Sequence, residues 1–164
     1  MILVTVGTHS QGFDRLVRAA DELARDLDEP IIIQRGHSAY MPQYAQYTSF
    51  VSGVEMDTLL GEARMIITHA AAGTIIQALD AGKPLIVVPR SKQLQEHFDD
   101  HQMQLAAALQ RADKAVVVID PTSQTLREAL ARCHAPAGSS DLPCHKLVHD
   151  LTQQIQAWAS EAIR

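Results

Sequence analysis

Cysteine is scarce: Cys133 and Cys144 are the only two, and they lack CxxC spacing. That excludes a disulfide framework and gives a structural zinc site no cluster to build on. Aromatic residues make up only 4% of the chain and the formal charge is -5. A nucleic-acid surface needs a basic stripe and stacking rings, so no nucleic-acid partner is expected. No apolar run approaches the ~18 residues of a membrane span. The start, MILVTVGT, has neither a basic n-region nor a small-residue cleavage site, and reads as a buried strand in a cytoplasmic protein. GxxxxGK[ST] and GxGxxG are both missing, which argues against a P-loop and a dinucleotide fingerprint.

What remains is a chain of 164 residues, 46% hydrophobic and 20% charged, large enough to bury a core without staples. Residues 1–164 are read as a single domain. Residues 1–6 are an apolar, β-branched run followed by the glycine-bracketed loop Gly7-Thr8-His9-Ser10-Gln11-Gly12 and an amphipathic stretch over 13–27. In that stretch Leu16, Val17, Ala20, Leu23, Ala24 and Leu27 recur every three or four residues and define a buried helical face. Arg15, Arg18, Glu22, Arg25 and Asp26 fall on the wet face and are assigned no function. Pro30 introduces a second strand, Ile31-Ile32-Ile33, ending at Gln34-Arg35-Gly36-His37.

Beyond a loop with Tyr40, Pro42, Tyr44 and Tyr47, the pattern predicts a strand over 48–52, a short helix over 55–62, a strand over 65–68 and a helix over 73–81. It then predicts a strand over 85–88, a helix from 98 or 99 to 110, a strand over 115–119 and a helix over 124–133. Strands alternating with helices imply an α/β, Rossmann-like fold, with a mostly parallel six-stranded sheet covered on both faces. Residues 135–140 read as a flexible connector. Leu147, Leu151, Ile155, Trp158 and Ala162 stripe a final helix, which either docks a partner or packs on the chain's own sheet.

Three loops carry chemistry. Gly7 and Thr8 either bring backbone N–H groups to an anion or merely turn the chain. In His69-Ala70-Ala71-Ala72-Gly73-Thr74 the small residues leave a helix start open to a pyrophosphate, with Thr74 adding a hydroxyl, or else serve close helix-to-sheet packing. Gln77, one turn on, has the reach to bond a ribose hydroxyl. The third loop, after Pro89, crowds Gln93, Gln95, Glu96, His97, Asp99, Asp100, His101 and Gln102 into ten residues. That set suits vicinal sugar hydroxyls, a weakly spaced metal site at Glu96, His97, Asp100 and His101, or a solvated helix start.

Taken together, VTVGT, QRGHSAY, HAAAGTIIQALDAGKPLIVVPR and EHFDDHQ resemble the C-terminal, donor-binding half of GT-B glycosyltransferases of the family that contains the lipid II N-acetylglucosaminyltransferase. The likeness is greatest to stand-alone small subunits of bipartite enzymes, the PssE-type proteins of exopolysaccharide synthesis and the small subunit of the dolichol-linked GlcNAc transferase. It covers roughly residues 1–108. It implies that Gly7, Thr8, Gln34, Gly36, His69, Ala71, Ala72, Gly73 and Thr74 hold a UDP-sugar. Gln77, where many relatives carry Glu, would meet the ribose. Glu96, His97, Asp100 and Gln102 would read the sugar. Arg90, following Pro89, would neutralise a sugar carboxylate or the diphosphate, or pair with Asp99.

A GT-B enzyme also needs an acceptor domain, and a chain of this length has room for one of the two. The resemblance therefore implies a donor-binding, catalytic subunit of a two-component, inverting hexosyltransferase, acting on a polyprenyl-diphosphate-linked saccharide in exopolysaccharide or capsule assembly. Its membrane-anchored partner would supply the acceptor site and the main base, His9 being the internal candidate. The expected location is peripheral, at the inner face of the cytoplasmic membrane, with 141–164 as the docking helix. No cofactor or metal is expected. A homodimer is expected where the partner is absent. The alternative is a non-catalytic accessory subunit that stabilises or regulates a transferase.

Overall fold

The computed structural model describes residues 1–134. In chain order the elements are β1 (Ile2–Thr5), α1 (Asp14–Arg25), β2 (Ile31–Gln34), β3 (Gln46–Thr48), α2 (Gly53–Glu62), β4 (Met65–Thr68), α3 (Ala72–Asp80), β5 (Leu85–Val87), α4 (His101–Arg111), β6 (Val116–Val117) and α5 (Ser123–Arg132). The connector at 135–140, the helix expected at 141–164 and Cys144 lie outside the described residues.

The strands form one sheet in the order β3-β2-β1-β4-β5-β6. Every pairing is parallel, where the sequence had led us to expect a mostly parallel sheet. β1 and β4 are buried along their whole length, which is why both read as unbroken apolar runs. Alternate side chains feed two cores. Ile2, Val4, Ile31, Ile33, Met65, Ile67 and Ile86 pack with Leu16, Val17, Ala20 and Leu23 of α1 and Leu126 and Ala129 of α5. Leu3, Ile66, Leu85 and Val87 face the other way, onto Leu60 of α2, Ile75, Ala78 and Leu79 of α3, and Leu105, Ala106 and Leu109 of α4. The chain winds outward from β1 to β3 and then returns to add β4 on the opposite side, so the strand order reverses between β1 and β4. A crevice opens beyond the carboxyl ends of the strands at such a reversal.

Most boundaries shift by one or two residues, the strand expected over 115–119 shortens to Val116–Val117, and two further shifts have a clear cause. The third strand is Gln46–Thr48 rather than 48–52, because Gln46, Tyr47 and Thr48 register against Ile32, Ile33 and Gln34. Beyond it the Ser49 carbonyl is taken by the Gln34 side chain at 2.9 Å. The helix expected from 98 or 99 begins at His101, whose N–H donates to Asp99 Oδ1 at 3.0 Å and so gives the preceding turn its own hydrogen bond. α2 and α5 start with capping boxes at Ser52/Glu55 and Thr122/Thr125. Asp21, fully buried on α1, accepts from the backbone N–H groups of Gln43, Tyr44 and Ala45 and from the Tyr40 hydroxyl. Burial opposes its ionisation, but these donors outweigh it and hold its carboxyl below the usual range. The Tyr-rich loop is thereby tied to α1.

Candidate functional site

A cleft of about 250 Å³ lies at the β1/β4 reversal, lined by Thr5, Gly7, Thr8, Gln34, Val51, Met56, His69, Ala71, Gly73 and Thr74. Its floor is stitched by Gln34, which is 1% exposed. Gln34 Oε1 accepts from the Thr5 hydroxyl at 2.6 Å and from the Gly7 N–H at 3.1 Å, while Nε2 donates to the Gly7 carbonyl at 3.0 Å. The loops after β1, β2 and β3 are thus one hydrogen-bonded unit. Gly7 adopts φ +74°, and a Cβ there would stand 2.5 Å from His69 Cε1. Gly36, at φ +55°, touches the other side of the same turn: its Cβ would fall 2.6 Å from the Gly7 carbonyl oxygen. Both positions demand glycine on conformation and on space.

Across the cleft, α3 starts at Ala72 with Ala71 in the N-cap position and no side-chain cap. An alanine methyl cannot accept from the first-turn N–H groups, so they are left for an anion. The sequence left open whether the small residues here serve packing or a ligand, and the structure divides them. Ala70 is 4% exposed and belongs to the core beneath. A Cβ on Gly73 would meet nothing within 4 Å, so packing does not require glycine there. A second cleft, of about 320 Å³, lies at the opposite ends of the strands around Leu27, Pro30, Ile31 and Tyr44. It is remote from the β1/β4 crossover loops.

The loop after β5 is organised from inside. Arg90 is 1% exposed. Its NH1 donates to the carbonyls of Gln11 (2.9 Å), Gly12 (3.0 Å) and Glu96 (3.2 Å), its NH2 donates to that of Val6 (2.9 Å), and its guanidinium lies 4.7 Å from the Phe13 ring centre. It makes no pair with Asp99, because those carbonyls occupy its guanidinium. Burial, with Arg15 nearby, pulls its pKa down to about 10 even though Glu96 opposes the change. Glu96, 8% exposed, turns inward to a bidentate pair with Arg15 at 2.7 and 3.0 Å and accepts from the Ser91 N–H at 2.9 Å. Arg15 also donates to the carbonyls of Pro89 and Ile119. Arg15 had been placed on the wet face without a role; it is the outer clamp of this loop. Its helical phase could not reveal a partner 81 residues away. Gln102, 7% exposed, accepts from the Arg90 N–H at 3.0 Å.

The remaining candidates are more open. His97 Nδ1 lies 3.0 Å from Asp99 Oδ1, and its ring centre is 5.1 Å from that of His9. His9 Nδ1 accepts from the Gln11 N–H. Burial, then His97 and Arg90, lower the His9 pKa. His69, at the cleft wall, is driven down to about 3 by burial and by Arg90, and is a neutral imidazole near pH 7. Asp100 is exposed. Gln77 is also exposed, and its Nε2 donates to Asp57 at 3.3 Å outside the cleft lining. Among the described residues no group of three or more His, Cys, Asp or Glu side chains is gathered to hold a metal ion, so Glu96, His97, Asp100 and His101 do not form such a set. Cys133 is buried, with its thiol pushed up by burial. Sequence reasoning missed Thr5, Val51 and Met56, whose apolar or strand context carries no ligand signal.

Residues 1–142 match the model of the family described as glycosyltransferase family 28 C-terminal domain. The chain is 34% identical over 119 residues to the UDP-N-acetylglucosamine transferase subunit ALG13 of Mus musculus, which covers 66% of this chain and 10% of the relative. It is 34% identical over 121 residues to the protein of that name from Homo sapiens, covering 67% and 10%. It therefore spans about a tenth of the length of the curated relatives it matches. Among solved structures, the calicheamicin glycosyltransferase CalG4 superposes with a TM-score of 0.63 at 19% identity, over 99% of this chain and 42% of that one. That likeness bears on the fold alone.

Proposed function

The chain belongs to the glycosyltransferase family 28 C-terminal domain family, and from that premise we propose that it is the donor-binding, catalytic subunit of a two-component glycosyltransferase. The observation that carries the reading is the cleft at the β1/β4 reversal, where the Gly7 turn faces the uncapped start of α3 across about 250 Å³. Backbone N–H groups and a helix dipole there suit a diphosphate, and can support its departure with the electron pair of the glycosidic bond. The volume falls just below the ~300–1,000 Å³ of enclosing ligand sites. It suits the diphosphate and ribose side of a nucleotide sugar, with the acceptor side supplied by another surface.

The names of the mouse and human relatives, a UDP-N-acetylglucosamine transferase subunit, support a uridine nucleotide donor and a partner chain. On this reading the acceptor is a polyprenyl-diphosphate-linked saccharide in exopolysaccharide or capsule assembly, transfer is inverting, and the partner carries the membrane anchor. No helix among the described residues is long and apolar enough to cross a membrane. The subunit would then lie at the inner face of the cytoplasmic membrane through that partner. The donor needs no cofactor.

Calorimetric titration with UDP, UDP-GlcNAc, UDP-galactose and UDP-glucuronate, with GDP as control, tests this. Selective uridine binding is the expected result, and the tightest sugar names the donor. Failure of all four to bind, both to the chain alone and to its complex with the co-purified partner, would overturn the donor role in favour of an accessory subunit.

A further inference from the structure

The cleft presents a charge problem that its own lining does not solve. Among the described residues no lysine or arginine lines it. The arginines of the neighbouring loops are engaged elsewhere: Arg90 by four backbone carbonyls, Arg15 by Glu96 and two carbonyls, and Arg35, which follows Gln34, by the Ser38 carbonyl, with its guanidinium 5.9 Å from the Tyr47 ring centre. What stands beside the cleft is imidazole. His9 follows Gly7 and Thr8, which line it. The His9 ring centre is 5.1 Å from that of His97 and 5.4 Å from that of Phe98. His69 forms the wall against Gly7.

We propose that His9 and His97 together take up a proton from solvent when the diphosphate of a nucleotide sugar enters the cleft, so that an imidazolium supplies the compensating charge. The inference rests on the donor-site reading above. The step is a protonation: one ring nitrogen of the pair gains H⁺, an N–H is directed at a phosphate oxygen, and no bond of the ligand forms or breaks.

The surroundings set the pair for this. Without ligand, burial, the neighbouring imidazole and the Arg90 guanidinium all discourage a charge on His9. His69, more deeply buried and facing the same arginine, remains neutral. On the far side Asp99 contacts His97 Nδ1 at 3.0 Å and stands 3.9 Å from His101 Nε2, and the Glu96 carboxylate is occupied by Arg15. Asp99 thus gives the pair one resident anion, and Arg90 offsets it. A diphosphate reverses that balance, because an opposite charge within a few ångströms favours the protonated ring. The ring centres are 5.1 Å apart, close enough for either imidazole to present the proton to the same phosphate.

The experiment is calorimetry of the full chain with UDP-GlcNAc and UDP-galactose at pH 7.5 in PIPES, HEPES and Tris, whose ionisation enthalpies differ. The diphosphate of a nucleotide sugar is doubly esterified and has no proton to exchange in this range, so buffer-dependent heat reports the protein. The expected result is net uptake approaching one proton, with affinity falling by as much as about tenfold per pH unit above neutrality. His9→Gln combined with His97→Gln is expected to abolish both effects. Binding whose heat is independent of buffer and whose affinity is flat from pH 6 to 8 would overturn the proposal and spare the donor reading. Uptake that persists in the double variant would overturn it by placing the proton elsewhere. Absence of binding by UDP and by both UDP-sugars, to the chain alone and to its complex with the co-purified partner, would overturn both.

Discussion

Replacing Arg90 by methionine separates two roles that the arginine after Pro89 can have. The side chain is 1% exposed and holds the carbonyls of Val6 and Glu96 in buried bonds and those of Gln11 and Gly12 in partly buried ones. Arg90→Met keeps most of the volume against Phe13 and removes every donor. A buried carbonyl left without a partner costs about 1–3 kcal/mol, and water can reach the two partly buried ones more readily. Relief of guanidinium desolvation, the cause of its pKa falling to about 10, returns part of the loss. A net destabilisation of roughly 3 kcal/mol follows. With a urea slope of about 2 kcal/mol/M, the unfolding midpoint should fall by roughly 1.5 M. Arg90→Lys keeps the charge but not the planar fan of donors, and should fall between the two. Urea unfolding followed by circular dichroism, paired with UDP calorimetry, is the assay. A midpoint unchanged within about 0.3 M together with abolished UDP binding would refute the reasoning and make Arg90 a ligand cation.

Three further outcomes follow from the same geometry. Gly7→Ala puts a Cβ at φ +74° and 2.5 Å from His69 Cε1, so it should destabilise by about 1–3 kcal/mol and weaken UDP binding by displacing the imidazole; unfolding and calorimetry check both. Glu96→Gln removes the counter-charge from a mostly buried Arg15, with about 20% and 10% side-chain exposure for the pair, so it should destabilise by roughly 2–3 kcal/mol, below a fully buried pair because the amide retains hydrogen bonds. It should also speed hydrogen exchange at the Ser91 amide, which donates to that carboxylate. The His69 pKa is depressed from about 6.5 unfolded to about 3 folded, so the unfolded chain binds the extra proton. Stability from this group is therefore present above pH 6.5 and lost as pH falls toward 3, by about 2 kcal/mol at pH 5, and His69→Gln should flatten that slope.

The sheet was legible because parallel strands buried on both faces must be apolar throughout: Met65–Thr68 reads the same from the sequence as in the structure. The edge strand was not, since Gln46–Thr48 is half exposed and owes its place to pairing with β2. Of the site, the two helix-approaching loops were visible as glycine and alanine clusters, and they do meet at the strand reversal. The polar loop after Pro89 was visible as a crowd of ligating side chains, but not which way they face. Glu96 and Gln102 turn inward because Arg15 and the Arg90 backbone are there to receive them, 81 and 12 residues away in sequence. Arg90 itself reads as a ligand cation or a partner for Asp99 until the Val6, Gln11 and Gly12 carbonyls of the distant loop after β1 are brought around it. Partnerships of that span depend on how the loops close over the sheet, and no local pattern carries them.

The central claim is that the Gly7 turn and the α3 start hold the diphosphate of a uridine nucleotide. An amide-resolved NMR titration of the chain with UDP tests it most directly. The account predicts that the amides of Gly7, Thr8, Gly73 and Thr74 shift first and furthest, with those of the second cleft around Ile31 and Tyr44 unmoved. Shifts confined to that second cleft, or none at saturating UDP in the chain alone and in its complex with the partner, would contradict it.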